Sequence, residues 1–261
     1  PDQNHYRGFS MSNLQTADIG LGQTILRRAA ISPEKPALTF EGVTQSFAEL
    51  GDRVRRMAGL LRAGGVSAGD RVGYIGLNHP VFLEMLYACG CLGAVFVPLN
   101  FRLTGPEMRF IANDAGISVM VADSMLRPLV DSERDSLQCS RYITAEADAD
   151  NWEPLEPLMA AATPIEASEK VDGDDVAFIM YTSGTTGLPK GAMLTHGNVF
   201  WNSINVCFGE DGLSGTTLTC APLFHIGGLN VTTLLSLGKG VEVVLLRSFD
   251  AGEVLSLIEK H

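Results

Sequence analysis

The sequence predicts an α/β fold with parallel or mostly parallel sheets and helices on both faces. Three observations carry this. Apolar runs of strand length alternate with helical periodicity from Arg71 onward, and glycines and prolines punctuate the joints. A loop crowded with glycine, serine and threonine, Tyr181-Thr-Ser-Gly-Thr-Thr-Gly-Leu-Pro-Lys-Gly191, follows the continuous apolar run Val176-Ala-Phe-Ile-Met-Tyr181. Unbroken apolar runs are what strands buried on both sheet faces require, whereas a half-solvated sheet alternates.

After an amphipathic segment around Thr24-Ile-Leu-Arg-Arg28, the runs Pro36–Phe40 and Val43–Phe47 flank Glu41-Gly42 and read as a β-hairpin. Ser46 and Glu49 have capping-box spacing for a helix whose Leu50, Val54, Met57 and Leu61 share one face, with Arg53, Arg55, Arg56 and Arg62 read as solvated. Gly64-Gly65 stops it. The strand Arg71–Ile75, a helix opened by Asn78-His79-Pro80, the strand Ala94–Pro98, a helix from near Thr104 to Gly116 and the strand Ile117–Ala122 follow.

Between Glu146 and Asp175 clustered acids, with Pro154, Pro157 and Pro164, read as an exposed connector. It divides a first α/β subdomain, residues 11–170, from the start of a second, 171–261, with residues 1–10 set aside as a leader. The second part holds the strand at Val176, the glycine loop, a helix from Asn198, the strand Thr216–Ala221, a further helix, the strand Val241–Leu246, and a helix capped by Asp250 and Glu253. That last helix runs to His261 with no strand to receive it, so the chain is expected to be a piece of a longer protein.

A chain of 261 residues can bury one large or two moderate cores. Its formal charge of −11 disfavours a nucleic-acid partner. The five cysteines form no CxxC pair, so a reducing, cytoplasmic setting is expected rather than a disulfide framework. Cys89-Gly-Cys91 lies in an apolar stretch without a second ligand pair and reads as buried thiols, leaving no metal site assigned. The most apolar region, Val72–Phe101, is interrupted by Asn78, His79, Pro80 and Glu84, so no membrane-length run exists.

The glycine loop is read as joining a buried strand to a helix. Gly184 and Gly187 allow a close backbone approach, Thr182, Ser183, Thr185 and Thr186 add hydroxyl donors, and Lys190 adds positive charge, a set that suits phosphate oxygens. It is not a Walker A loop, since the second glycine falls early and Gly191 follows the lysine. Nor is Ser183 in a nucleophile elbow, because Tyr181 and Thr185 occupy the glycine positions, which disfavours a hydrolase built on Ser183 and His225.

Tyr181–Gly191, continuing Ala-Met-Leu-Thr-His-Gly-Asn198, closely resembles the signature loop of adenylate-forming enzymes of the acyl- and aryl-CoA ligase type. Leu92-Gly-Ala-Val-Phe-Val-Pro-Leu-Asn100 and Ala221-Pro-Leu-Phe-His-Ile-Gly-Gly228 resemble the same family in the expected order. The resemblance implies the N-terminal part of that family's large domain, and a parent enzyme that activates a fatty or aryl acid with ATP and Mg2+ and passes it to coenzyme A. It further implies that Thr182, Ser183, Gly184, Thr185, Thr186, Gly187 and Lys190 contact ATP phosphates, and that Phe224, His225, Gly227 and Gly228 border the acyl pocket. Amino-acid-activating relatives usually carry aspartate at the His225 position, so an acid without an α-amino group is expected. The catalytic lysine and the adenine- and magnesium-binding segments of the family have no counterpart in residues 1–261. The chain alone is therefore expected to be inactive, and no catalytic residue is assigned. The alternative is a shortened module that binds nucleotide or acyl ligand without catalysis. Oligomeric state is left open.

Overall fold

The computed structural model describes residues 18–146, 150–182, 187–209 and 215–260. The hairpin forms as expected, with β1 (Pro36–Phe40) antiparallel to β2 (Val43–Ser46). Ser46 and Glu49 close the capping box of α2 (Phe47–Ala63) by accepting each other's backbone N–H. His79 caps α3 (Pro80–Leu92) by accepting the Val81 N–H, and Gly93 ends it at φ 65°, in the left-handed region that favours glycine. Thr104 and Glu107 open α4 (Gly105–Ala115). The first helix, α1 (Leu21–Ile31), packs against both α2 and α3.

Seven strands form the larger sheet. In it β3 (Arg71–Ile75) lies between β4 (Val95–Leu99) and β5 (Ile117–Ala122), all parallel. Beyond β5 come β6 (Arg141–Thr144) and β7 (Glu153–Pro154); beyond β4 come β8 (Val176–Thr182) and β9 (Lys190–Thr195). Among the described residues of this sheet only the β8–β9 pair is antiparallel. Successive side chains leave opposite faces of the sheet. Val72, Tyr74, Phe96, Val119 and Val121 join one core with α1, α2 and α3, while Val97, Leu99, Met120 and Ala122 join a second with Met108 and Ile111 of α4. Both faces are thus covered, which the continuous apolar runs require.

A smaller sheet runs β10 (Thr216–Thr219), β11 (Glu242–Leu245), β1, β2. Each sheet therefore draws strands from both sides of the boundary expected near residue 170: β8 pairs with β4, and β1 with β11.

Two expectations are corrected. The glycine loop does not lead directly to a helix, because β9 returns antiparallel to β8 before α6 (His196–Gly209) begins. Thr195 and Asn198 cap that helix by accepting each other's backbone N–H at 3.1 Å. The acidic stretch is no mere exposed connector either. It contributes β7 and α5 (Leu155–Ala161), buries Trp152, Leu155, Met159, Ile165 and Val171, and pairs its acids with arginines: Glu153 with Arg141 and Glu169 with Arg62. Arg62, expected to be solvated, stays exposed while it pairs.

Cys89 and Cys91 are buried free thiols in α3, and burial pushes both pKa values well up. Among the described residues no helix is long and apolar enough to cross a membrane.

The Arg53 guanidinium ties α2 to α3 and α5. It donates to both oxygens of Glu84, a carboxylate on α3 with 0 % of its side chain exposed, and to both oxygens of Glu156. Burial raises the Glu84 pKa, with the bonds from Arg53 opposing. A carboxyl whose folded pKa lies above its unfolded value contributes most below the unfolded value, and that contribution is lost as pH rises through the folded value. Removing Arg53 widens the gap. Arg53→Met is expected to cost about 3–5 kcal/mol in urea unfolding near about pH 7, because it strands a buried charge, and the deficit should narrow as pH falls and Glu84 takes a proton. A deficit independent of pH would contradict this.

Candidate functional site

Carboxyl ends of parallel strands are where an open α/β sheet leaves a crevice, provided the neighbouring connections depart in opposite directions. The β4 and β8 neighbours meet that condition. From β4 the chain crosses to β5 on one side, whereas from β8 it turns to β9 on the other. A cleft of about 450 Å³ lies there. Pro98, Leu99 and Asn100 enter it from the end of β4, Glu107 and Ile111 from α4, Tyr181 and Thr182 from the end of β8, and Phe224 and His225 from the turn after β10.

The floor is apolar and the rim polar. Phe224 meets Phe101 edge to face with ring centres 5.4 Å apart, a favourable arrangement of aromatic quadrupoles. Glu107 is committed to the α4 cap through the Thr104 N–H and hydroxyl. The Tyr181 hydroxyl donates to Asp114; burial first, and the carboxylate second, push its pKa well up, so the phenol stays protonated. The exposed His225 ring accepts the Gly227 N–H on Nδ1 at 3.3 Å, which leaves Nε2 facing solvent.

Of the sequence-predicted residues, the fold gathers Thr182, Phe224 and His225 in this cleft. Lys190 is the partner of Thr182 across the β8–β9 ladder, and both are exposed. No ion pair engages Lys190 among the described residues. Gly187 stands at φ 123° in open space, a conformation strained for any other residue. Ser183, Gly184, Thr185 and Thr186 lie outside the described residues. Since β8 is followed by β9 and not by a helix, the donors that the described residues bring near it are the Thr182 hydroxyl, backbone N–H groups and the Lys190 ammonium.

Gly227 and Gly228 open a π-helical turn, Gly227–Thr233, and differ in what they tolerate. A Cβ on Gly228 would lie 2.6 Å from the Pro222 carbonyl oxygen, whereas one on Gly227 meets nothing closer than 3.5 Å. Sequence reasoning missed Leu99, Asn100, Ile111 and Tyr181 as cleft residues. The strand ends could have flagged the first two and Tyr181, since carboxyl ends of parallel strands build such clefts; Ile111 is indistinguishable in sequence from any other core position of its helix. Gly228→Ala is expected to cost about 1–3 kcal/mol of unfolding free energy through overpacking, and Gly227→Ala less than about 0.5 kcal/mol. Equal costs in thermal or urea unfolding would contradict the packing described.

A feruloyl-CoA synthase from Amycolatopsis sp is 45% identical over 243 residues, covering 93% of this chain and 47% of its own length. An indoleacetate–CoA ligase from Aromatoleum aromaticum is 38% identical, covering 92% and 48% respectively. A solved Mycobacterium tuberculosis fatty acyl CoA synthetase superposes with a TM-score of 0.81 at 31% identity, covering 92% of this chain and 47% of that one. The chain thus spans about half the length of the curated relatives it matches. The AMP-binding enzyme family model matches residues 25–261, nearly the whole chain, and this chain belongs to that family.

Proposed function

We propose that the complete protein activates a carboxylic acid with ATP, releasing pyrophosphate, and passes the acyl group from AMP to the thiol of coenzyme A. The observation that carries this reading is the meeting of Thr182, Phe224 and His225, from two sequence stretches far apart, in one cleft whose buried lining is apolar. The relatives support it: two of those described act, by name, on feruloyl and indoleacetate acyl groups and one on fatty acyl groups. A fatty or aryl acid is therefore the substrate class.

Attack of a carboxylate on ATP brings negative charge to negative charge, so the barrier falls most where donors face the phosphates as pyrophosphate departs. In this reading Thr182, Ser183, Gly184, Thr185, Thr186 and Gly187 supply hydroxyl and backbone donors, and Lys190, paired across the hairpin with Thr182, supplies charge. Mg2+ would share that charge when bound with ATP. Phe224, with Gly227 and Gly228 shaping the turn behind it, forms the acyl wall. His225 carries no fixed negative charge, which suits an acid without an α-ammonium group. Residues 1–261 alone hold only part of this apparatus and are expected to make little or no acyl-CoA.

The test is acid-dependent exchange of pyrophosphate into ATP by the complete protein, with fatty, aryl and amino acids in turn. Exchange with fatty or aryl acids is expected, and Lys190→Ala should lower it about 100-fold without unfolding the protein. A folded, ATP-binding protein that exchanges with no acid would overturn the reading in favour of a binding module.

A further inference from the structure

We propose that Asn78 is a positioning residue that clasps the turn carrying Phe224 and His225 and so sets how the cleft holds its acid, an inference that rests on the acid-activating reading above. Asn78 follows β3 in the larger sheet and is 4 % exposed, yet its side chain is spent on the smaller sheet. Its Oδ1 accepts the Leu223 N–H at 2.8 Å, and its Nδ2 donates to the carbonyls of Ala221 at 3.0 Å and Leu246 at 2.9 Å. Its own backbone N–H donates to the Arg247 carbonyl at 3.2 Å. One amide thus joins the exits of β3, β10 and β11.

The turn depends on it. Phe224 and His225 directly follow Leu223, and the next N–H groups fold back within the turn: His225 donates to Pro222, and Gly228 and Leu229 donate to the His225 carbonyl. These bonds shape the turn but do not fix it to the larger sheet, whereas the other cleft walls, β4, α4 and β8, belong to that sheet and its covering. Asn78 links the two. Both amide hydrogens and the amide oxygen are used, so no other side chain of this length replaces it: aspartate lacks the donors, leucine the polarity, and glutamine is a methylene too long. Its loss strands a buried N–H and two carbonyls beside the acid wall.

The test uses the complete protein and two readouts. In hydrogen exchange, Asn78→Ala is expected to lower protection of amides in 221–229 about tenfold or more, with β3 and β5 amides within about twofold of the unsubstituted protein. In the pyrophosphate exchange assay the acid KM should rise about tenfold while the ATP KM stays within about twofold. Asn78→Ser, a smaller neutral polar change, is expected to give a loss confined to the same amides, and it serves if the alanine variant fails to fold. Met57→Ala, a core truncation in α2, controls for stability and should give no split between acid and ATP. Uniform loss of protection, no loss, or equal movement of both KM values would overturn the proposal. If the unsubstituted protein shows no acid-dependent exchange, the acid-activating reading fails. That failure is separate from failure of the clasp, which the hydrogen-exchange pattern reads.

Discussion

The pairing of β8 with β4 is the contact on which the rest of the site depends. It joins Phe178 to Phe96, 82 positions apart in the sequence, and both rings are fully buried. Phe96 meets Phe82 edge to face at 4.9 Å, and Phe82 meets Tyr74 at 5.5 Å, so the new strand docks against an aromatic stack built by β3, α3 and β4. The closure entropy of so long a connection grows only logarithmically with its length, and burial of two phenylalanines offsets much of it, at about 1.5–3 kcal/mol each. Without that pairing Tyr181 and Thr182 would have no reason to stand beside Leu99 and Asn100.

A second constraint joins the two sheets at the same end. Arg247, just past β11, binds Glu41 beyond β1 at 2.7 Å and Glu146 beyond β6 at 3.0 Å, while Glu146 also accepts from the Ser124 hydroxyl beyond β5. Asn78 works a few residues away, on neutral groups. The ionic contacts are partly exposed and individually modest, whereas the amide contacts are buried, where an unmade bond costs more. Orientation of the sheets thus rests more on Asn78 than on the more conspicuous charges.

Local features were legible in the sequence where their cause is local. The Ser46–Glu49 box, the Glu41-Gly42 hairpin, the Gly116 stop and the Asp250–Glu253 cap each depend on residues a few positions apart, and each forms. The strand β9 was not legible: Lys190-Gly-Ala-Met-Leu-Thr195 has little strand propensity, and it becomes a strand because β8 presents an unpaired edge. The burial of Trp152, Leu155 and Met159 was hidden by the acids between them, whose charges find arginines only after folding. Of the site, the loop and the Phe224–His225 turn were legible through composition and resemblance. Asn78 read only as a helix opener, because its partners lie more than 140 residues away.

The net charge of −11 does not by itself exclude an anion from the cleft, because charge acts locally. Several acids are answered on the spot: Glu84 and Glu156 by Arg53, Glu153 by Arg141, Glu169 by Arg62, Glu41 and Glu146 by Arg247. Exposed charges elsewhere are screened within about 8 Å at physiological salt. At the hairpin the balance is different. Glu107 is turned into its helix cap, Asp114 is occupied by the Tyr181 hydroxyl, and Lys190 stands opposite Thr182 without an acidic partner among the described residues. An anion approaching the hairpin would meet the Lys190 ammonium, which no acid among the described residues pairs, whatever the charge of the chain as a whole.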